Sequence, residues 1–339
     1  MNQEDIADAV TLKFNTKPAN IMVVGDLMLD VFTYGKIMKV NPEAPGAPLL
    51  HVVRRDYFLG GAGNVATNIA SLKGNVILYG MIGDDEAGHR FQKKIAEYPT
   101  INLKPLLGVR PTTIKTRFVE EEKNHQIARI DEEIRDLLPH HIECAFLEKI
   151  LNDINNVDVV VLSDYHKGML GGSIPAAIIE YCHDNNKPVL ADFKPEHYCL
   201  FKRAMLVSPN LKEAEEITNI SARKEKANLL EIAAQLEETM VTPYTVITCG
   251  RDGMISRERH GETRKINTIA REVADVTGAG DTVIAVLALC MANQYSHDGD
   301  RFNLHDSAEI ANCAAGIVVG RAGTATTTID EIVHAILEK

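Results

Sequence analysis

Two glycines, an aspartate and a long apolar run stand together in DVTGAGDTVIAVLALCMA (275–292). Gly278 and Gly280 permit a tight backbone turn, and the apolar residues after Asp281 read as a buried helix. Backbone N–H groups at such a helix start form an anion hole reinforced by the helix dipole. A carboxylate there stays ionised beside a bound phosphate. That suits a base taking a hydroxyl proton during phosphoryl transfer, with the amides of Gly278, Ala279 and Gly280 holding the transferring group. An ordinary helix N-cap uses the same residue types, so the surroundings have to decide.

The elements that would position such a site are legible as short apolar runs. IMVVGD (21–26), NVILYGMIG (75–83), VDVVVLSD (157–164), KPVLAD (187–192), AMLVSPN (204–210) and YTVITCG (244–250) read as buried strands. Each is β-branched and ends in Gly, Asp or Asn. GNVATNIASLK, HHIECAFLEKILNDI, SIPAAIIEYCHD, LKEAEEIT and KANLLEIAAQLEETM read as helices between them. The alternation predicts a doubly wound α/β fold, a mostly parallel sheet with helices on both faces. Ligands of such sheets sit beyond the carboxyl ends of the strands. Residues 31–58 and 112–131 break the pattern. The first carries the Pro-rich NPEAPGAP, and in the second TTIKTRFV and HQIARID flank a charged EEEKN turn as a hairpin. Together they predict a small β lid on a single domain spanning 1–339.

Composition narrows the partners. Lys plus Arg total 36 against 47 for Asp plus Glu, a net charge of −11, and there is no Trp. Nucleic acid is therefore not expected as a partner, because neither counterion release nor base stacking is provided for. No window is long and apolar enough for a membrane span, and no signal peptide opens the chain. Cys144, Cys182, Cys199, Cys249, Cys290 and Cys313 show no C-x-x-C spacing. Most lie in apolar runs such as IECAFL and LALCMA, so buried free thiols in a reducing cytoplasm are expected.

The whole stretch DVTGAGD, with GGAGNVATNIASLKGNVILYGMIG (60–83), resembles the two signatures of the ribokinase-like, phosphofructokinase-B type carbohydrate kinases. Lys73 stands where that family usually has a small residue. VVGDLMLD, NPEAPGAP, GGAGNVATNIASL, HQIARID, LSDYHKG, PNLKEAEEI, DVTGAGDTVI and ANCAAGIVVGRAGTATT occur in the order found in the bacterial heptose-phosphate kinases of that family. A dinucleotide reading of Gly61-Ala62-Gly63-Asn64-Val65-Ala66 with Asp84 lacks a strand directly before the glycines and leaves 275–281 without a role. No G-x-x-x-x-G-K-[ST] loop occurs.

The resemblance implies an ATP-dependent sugar kinase with Asp281 as base. It implies a sugar site with Asp30, Gly60, Gly61, Asn64 and Asp164. Lys115, Arg117, Arg129, Lys167 and Lys194 are the cations able to meet an anionic acceptor, and Phe193 departs from the D-P-K of the relatives. Asn210 and Glu213 would organise hydrated Mg²⁺, although N-x-x-E is equally a helix-capping pair. Thr248, Gly250, Gly253 and Asn312 would line the nucleotide, with Gly278 and Gly280. Asp275, Thr277 and Gly323 would form a monovalent-cation site for K⁺. The implied acceptor is D-glycero-β-D-manno-heptose 7-phosphate, phosphorylated at O1. Alternatives are a kinase for another sugar, or a binding protein that keeps the fold without turnover; intact Asp281, Gly280, Asn210 and Glu213 oppose the latter. No H-x-G-H motif occurs, so a nucleotidyltransferase domain is not expected and adenylyl transfer would reside elsewhere. An exposed lid edge could pair with that of a second subunit as a homodimer.

Overall fold

A computed structural model describes residues 1–16, 18–38, 41, 43–44, 46–122, 125–221, 228–270, 275–294, 303–321 and 323–338. The chain opens with α1 (Gln3–Thr16), β1 (Asn20–Gly25), β2 (Leu27–Met38), β3 (Leu49–Gly61), α2 (Ala62–Ser71), β4 (Asn75–Ile82) and α3 (Glu86–Ile95). It continues through β5 (Ile101–Leu107), β6 (Thr113–Glu120), β7 (His125–Glu132), α4 (His140–Ile154), β8 (Val159–Ser163), α5 (Ile174–Asp184) and β9 (Val189–Asp192). It ends with β10 (Leu206–Val207), α6 (Leu211–Thr218), α7 (Asn228–Met240), β11 (Tyr244–Thr248), β12 (Met254–Glu258), β13 (Thr263–Ile266), α8 (Ala279–Gln294), α9 (Leu304–Val318) and α10 (Ile329–Leu337).

The described strands form a nine-stranded sheet in the order β13-β12-β11-β10-β9-β8-β1-β4-β5 and a four-stranded sheet in the order β3-β2-β6-β7. From β5 across to β11 the large sheet is parallel; at one edge β12 pairs antiparallel with β11, and β13 antiparallel with β12. Both faces are covered, as the β-branched runs require. Ile21 and Val23 of β1 point into a core with α1, α2, α8, α9 and α10, while Met22 and Val24 point into a core with α4 to α7. This period of two with apolar residues on both sides is the pattern of a fully buried strand. Helix α8 is apolar all round and buried throughout its described length beyond its first turn, packed among α2, α9 and the sheet.

Strand order reverses at β1, whose neighbours are β4 on one side and β8 on the other. A crevice opens at such a switch point, here beyond Gly25 and Ser163. The small sheet departs from the same place, because only Asp26 separates β1 from β2. It therefore begins and ends closer to the large sheet than the 31–58 break in pattern indicates, from Leu27 to Gly61. The hairpin of β6 and β7 is present, antiparallel, with Arg117 opposite Arg129. Pro42 and Pro45 of NPEAPGAP, Lys123 and Asn124 of the turn and residues 226–227 of the helix before Asn228 lie outside the described residues.

The cysteines require a correction. All six are free, but only Cys182, Cys290 and Cys313 are buried, whereas Cys144 and Cys199 are exposed and Cys249 is half-buried. In α4 the inward stripe is Glu143, Phe146, Ile150 and Ile154. Cys144 falls off that stripe, so an apolar neighbourhood in sequence is not one in space.

Candidate active site

The site gathers where β1, β2, β8 and β9 end or begin and α8 starts. Asp281 is in the first turn of α8, buried. Its Oδ1 accepts a hydrogen bond from the Tyr165 hydroxyl at 2.7 Å, and its Oδ2 accepts one from Asn64 Nδ2 at 2.8 Å. Burial pushes its carboxyl up to about 6; the Tyr165 and Asn64 donors oppose this, Asp30 reinforces it, and Lys194 pulls it down. A carboxylate tuned in this way is a competent base near neutral pH.

Of the two glycines before it, only Gly278 makes the turn, because Gly280 already lies in α8 without a positive φ. Gly278 has φ +82°, and a Cβ there would lie 2.5 Å from Asn64 Nδ2. Its carbonyl accepts from Thr282 N at 3.0 Å, beginning the helix with Ala279 and Gly280 at the cleft. Asn64 was expected on the sugar, but both ends of its amide are engaged within the protein. Nδ2 holds Asp281, and Oδ1 accepts from Asn68 Nδ2 at 3.2 Å. Thr282 Oγ1 donates to Asn68 Oδ1 at 3.0 Å, completing a buried polar chain between α2 and α8. Such a satisfied network specifies how two helices dock. Asn64 thus orients the Asp281 carboxylate.

The lid side brings Asp30, Gly60, Lys115 and Arg117 together. Asp30 of β2 is buried against Arg117 of β6 as an ion pair, and Lys115 is its register partner on β6. A Cβ on Gly60 would stand 2.2 Å from Asp30 Oδ2, so only glycine fits beside this carboxylate. Gly61, with φ +58°, turns the chain into α2 under the Asp26 carbonyl. Lys115 sits 5.3 Å from the centroid of the Tyr165 ring; burial lowers its ammonium, Asp30 opposes that and Lys167 adds to it. Arg129 does not join this group; on edge strand β7 it donates to Asp131 Oδ1 at 2.8 Å and is half exposed.

Three further residues differ from expectation. Asp164 has both oxygens engaged, Oδ1 by His166 N and Oδ2 by His197 Nδ1, each at 2.9 Å, so it braces the loop after β8. Burial and the charge of Asp26 hold its carboxyl above its ordinary value. Lys167 is buried in a 2.6 Å pair with Glu133. Lys194 pairs with Glu213 at 2.6 Å and lines the neighbouring cleft. There burial lowers its ammonium, but Glu213 and Asp192 outweigh this and hold it above its ordinary value. Phe193 is buried, stacked on Phe201 with centroids 4.8 Å apart.

That cleft has a volume of about 550 Å³ and is lined by Thr248, Gly250, Gly253, Gly278, Ala279, Gly280 and Asn312, with Asn210, Glu213 and Asp192 at its polar end. Asn210 and Glu213 form a capping box at the start of α6: Glu213 N donates to Asn210 Oδ1 at 3.0 Å and Asn210 N to Glu213 Oε2 at 2.9 Å. The helix-capping reading of N-x-x-E is the one these hydrogen bonds bear out. Gly250 has φ +58° and open space where a side chain would stand, whereas a Cβ on Gly253 would strike the Ile266 carbonyl at 1.9 Å. Asn312 Nδ2 donates to the Asn267 carbonyl at 2.8 Å, which fixes its place in the wall. Asp275 draws Thr277 and Gly323 together, accepting from their backbone N–H groups at 2.9 and 3.1 Å. Among the described residues no group of three or more His, Cys, Asp or Glu could hold a metal ion.

Sequence reasoning missed Tyr165, Asp192, Asn68 and Asp26. Asp26 binds the backbone N–H groups of Tyr165, Lys167 and Met169 at 2.8, 3.0 and 3.2 Å, clamping the loop after β8. The available signal was position: Asp26 directly follows β1, Tyr165 is the second residue after β8 and Asp192 ends β9.

Residues 18–331 match the family described as pfkB family carbohydrate kinase. The chain is similar to bifunctional protein HldE of Helicobacter pylori, 38% identical over 314 residues that cover 92% of this chain and 65% of that protein. It is also similar to bifunctional protein HldE of a Caulobacter species, 38% identical over 321 residues, 93% of this chain and 62% of that one. The chain thus spans just under two thirds of the length of these relatives. Its fold is similar to phosphofructokinase-2 from Escherichia coli in complex with potassium, with TM-score 0.77, 16% identity and coverage of 95% and 99% of the two chains. It is similar also to Arabidopsis thaliana ribokinase complexed with ribose and ATP, with TM-score 0.73, 16% identity and coverage of 94% and 99%. At such identity the likeness is one of fold: a ribokinase-like, mostly parallel sheet with helices and a second small sheet. Among the described residues no helix is long and apolar enough to cross a membrane.

Proposed function

This chain belongs to the pfkB family of ATP-dependent carbohydrate kinases, and from that premise we propose that it phosphorylates O1 of D-glycero-β-D-manno-heptose 7-phosphate in the cytoplasm, giving the 1,7-bisphosphate for nucleotide-sugar synthesis. The observation that carries the kinase chemistry is the buried Asp281 carboxylate, raised to about 6, directly after the glycine turn Gly278-Ala279-Gly280 that lines a cleft of about 550 Å³. Asp281 takes the proton from the acceptor hydroxyl as that oxygen attacks the γ-phosphorus, and ADP leaves. The N–H groups at 278–280 bear on the transferring phosphoryl, where the helix dipole favours negative charge. Lid residues exclude water from the acceptor side.

Mg²⁺ suits the polar end of the cleft, whose donors are oxygens. Both Glu213 oxygens already accept hydrogen bonds from Lys194 and Asn210, so Glu213 and Asn210 would hold the ion through water, as Mg²⁺ tolerates. When bound it neutralises charge on the nucleotide phosphates. Asp275, Thr277 and Gly323 would serve K⁺ through their remaining oxygens. The choice of a phosphorylated acceptor follows the family resemblance and is supported by Lys115, which has no carboxylate within ion-pair distance among the described residues. Lys115 is the first candidate ligand for the sugar phosphate, with Arg117 and Lys167 behind it in their own ion pairs. The exposed Val53 and Ile130 on β3 and β7 suit pairing of two lids in a homodimer.

The test is ADP release over a panel of free and phosphorylated sugars, with Asp281→Asn beside the parent. The heptose 7-phosphate should be the best acceptor, and the Asn variant should lose about 10²–10⁴-fold in turnover while still binding ATP. Equal efficiency on phosphorylated and free sugars would remove the sugar-phosphate assignment. Near-normal turnover in the Asn variant would remove Asp281 as base.

A further inference from the structure

Tyr165 joins groups that arrive from four different elements. Its backbone N–H is held by Asp26 after β1, and its hydroxyl donates to Asp281 Oδ1 at 2.7 Å in α8. Lys115 of lid strand β6 and Lys194 after β9 lie 5.3 and 5.4 Å from its ring centroid, within reach of a cation–π attraction. The residue is the second after β8, at the switch point of the sheet.

We propose that Tyr165 is a positioning residue for the base: its hydroxyl, opposite Asn64, sets the plane of the Asp281 carboxylate and favours its anionic form. This rests on the reading of Asp281 as base. Each carboxylate oxygen carries two lone pairs. With one on Oδ1 taken by Tyr165 and one on Oδ2 by Asn64, the remaining two are directed, and the acceptor hydroxyl meets an oriented acceptor. A phenol has one hydrogen to give, and here it must stay protonated to give it. Burial and the carboxylates of Asp281 and Asp192 push its hydroxyl well above the ordinary value, so it is a donor across the working pH range. The groups facing Asp281 are Tyr165 and Asn64 as donors, Asp30 from β2 and Asp192 from β9 as like charges, and Lys194 as the counter-charge. Of these, Tyr165 and Asn64 touch the carboxylate directly, and removing either leaves burial, Asp30 and Asp192 less opposed.

A merely structural tyrosine and an orienting one part company in the pH profile. Tyr165→Phe keeps the ring, and with it both lysine contacts, but removes the donor. The acid limb of kcat/KM for the phosphoryl acceptor should move up by about one pH unit. The loss is then about fivefold at pH 6 and nearly vanishes by pH 8.5. Site-specific 3-fluorotyrosine at the same position is a stronger donor and should move the limb down. It also decides the matter if the Phe variant folds poorly. An acid limb unmoved in both variants, or one uniform loss at every pH, overturns the proposal. Asp281→Asn run alongside separates the two levels. If that variant keeps its turnover, the base assignment has failed. If it is inactive while the Tyr165 variants leave the limb in place, only the positioning role has failed.

Discussion

Gly278 and Gly280 are two residues apart in one turn, yet the structure assigns them opposite tolerance to a methyl group. Gly278 has φ +82°, a conformation that costs an L-residue roughly 1–2 kcal/mol. Its Cβ would also stand 2.5 Å from Asn64 Nδ2, a separation that real contacts do not reach. Asn64 cannot retreat freely because Asn68 holds its other end. Gly278→Ala should therefore break the bond from Asn64 to Asp281, a hydrogen bond to a charged group of about 1.5–3 kcal/mol. Stability should fall by about 2.5–5 kcal/mol, and turnover roughly 10–100-fold as the base loses its orientation. At Gly280 the nearest atom to an added Cβ is Asp192 Oδ2 at 3.7 Å, ordinary contact, and φ is not in the left-handed region. Gly280→Ala adds a good helix former to the first turn of α8 and should leave stability unchanged or raised by up to about 1 kcal/mol. Its effect should fall on the KM for ATP, because the methyl enters the cleft. Urea unfolding and steady-state ADP release on both variants check this. Equal destabilisation, or normal turnover in Gly278→Ala, would refute the geometry on which the site is built.

Two more outcomes follow from the electrostatics. With Asp281 raised to about 6, kcat/KM should be flat from pH 7 to 8 and fall tenfold per pH unit below 6, as protonation removes the base; a limb near pH 4 would mean an unperturbed carboxylate does the work. Arg117→Met strands the buried Asp30 and should cost about 3–5 kcal/mol in urea unfolding, part of which Asp30→Asn in the same chain restores; an unchanged midpoint would show that the pair contributes little.

Much of the fold could be read from the chain because its strands are short β-branched runs buried on both faces, a pattern few other structures produce. The edges could not. Strand β5, INLKPLL, carries Lys104 and Pro105, and β13, TRKI, is polar and short; edge strands look like loops because charge and proline protect them from pairing with other chains. The same division holds in the site. Asp281 and its glycines are neighbours in sequence, so a local signature contains them. Asn64 and Tyr165 touch the same carboxylate from 217 and 116 residues away, and no local spacing encodes that. The cations illustrate the limit in the other direction: sequence supplied five without their partners, and the partners decide. Arg117, Lys167 and Lys194 each face a carboxylate from another element, and Arg129 one on its own strand, which leaves Lys115 as the cation held by an aromatic ring and burial instead.

The base is tuned by both sheets at once. An exposed aspartate is too weak a base to assist a sugar hydroxyl, and one raised far above neutrality would be protonated when needed. Burial by α2 and α8 raises Asp281, and Asp30 raises it further from the small sheet; Tyr165, Asn64 and Lys194, all carried by the large sheet or its helices, restrain it. Asp30 in turn is anchored by Arg117 on the neighbouring lid strand. The lid therefore supplies part of the electrostatic field that raises Asp281. A displacement of β2 and β6 would weaken the base while uncovering the site. If Asp281 is the base, as proposed, deprotonation of the acceptor would depend on the lid being in place, which would disfavour attack by water when it is displaced.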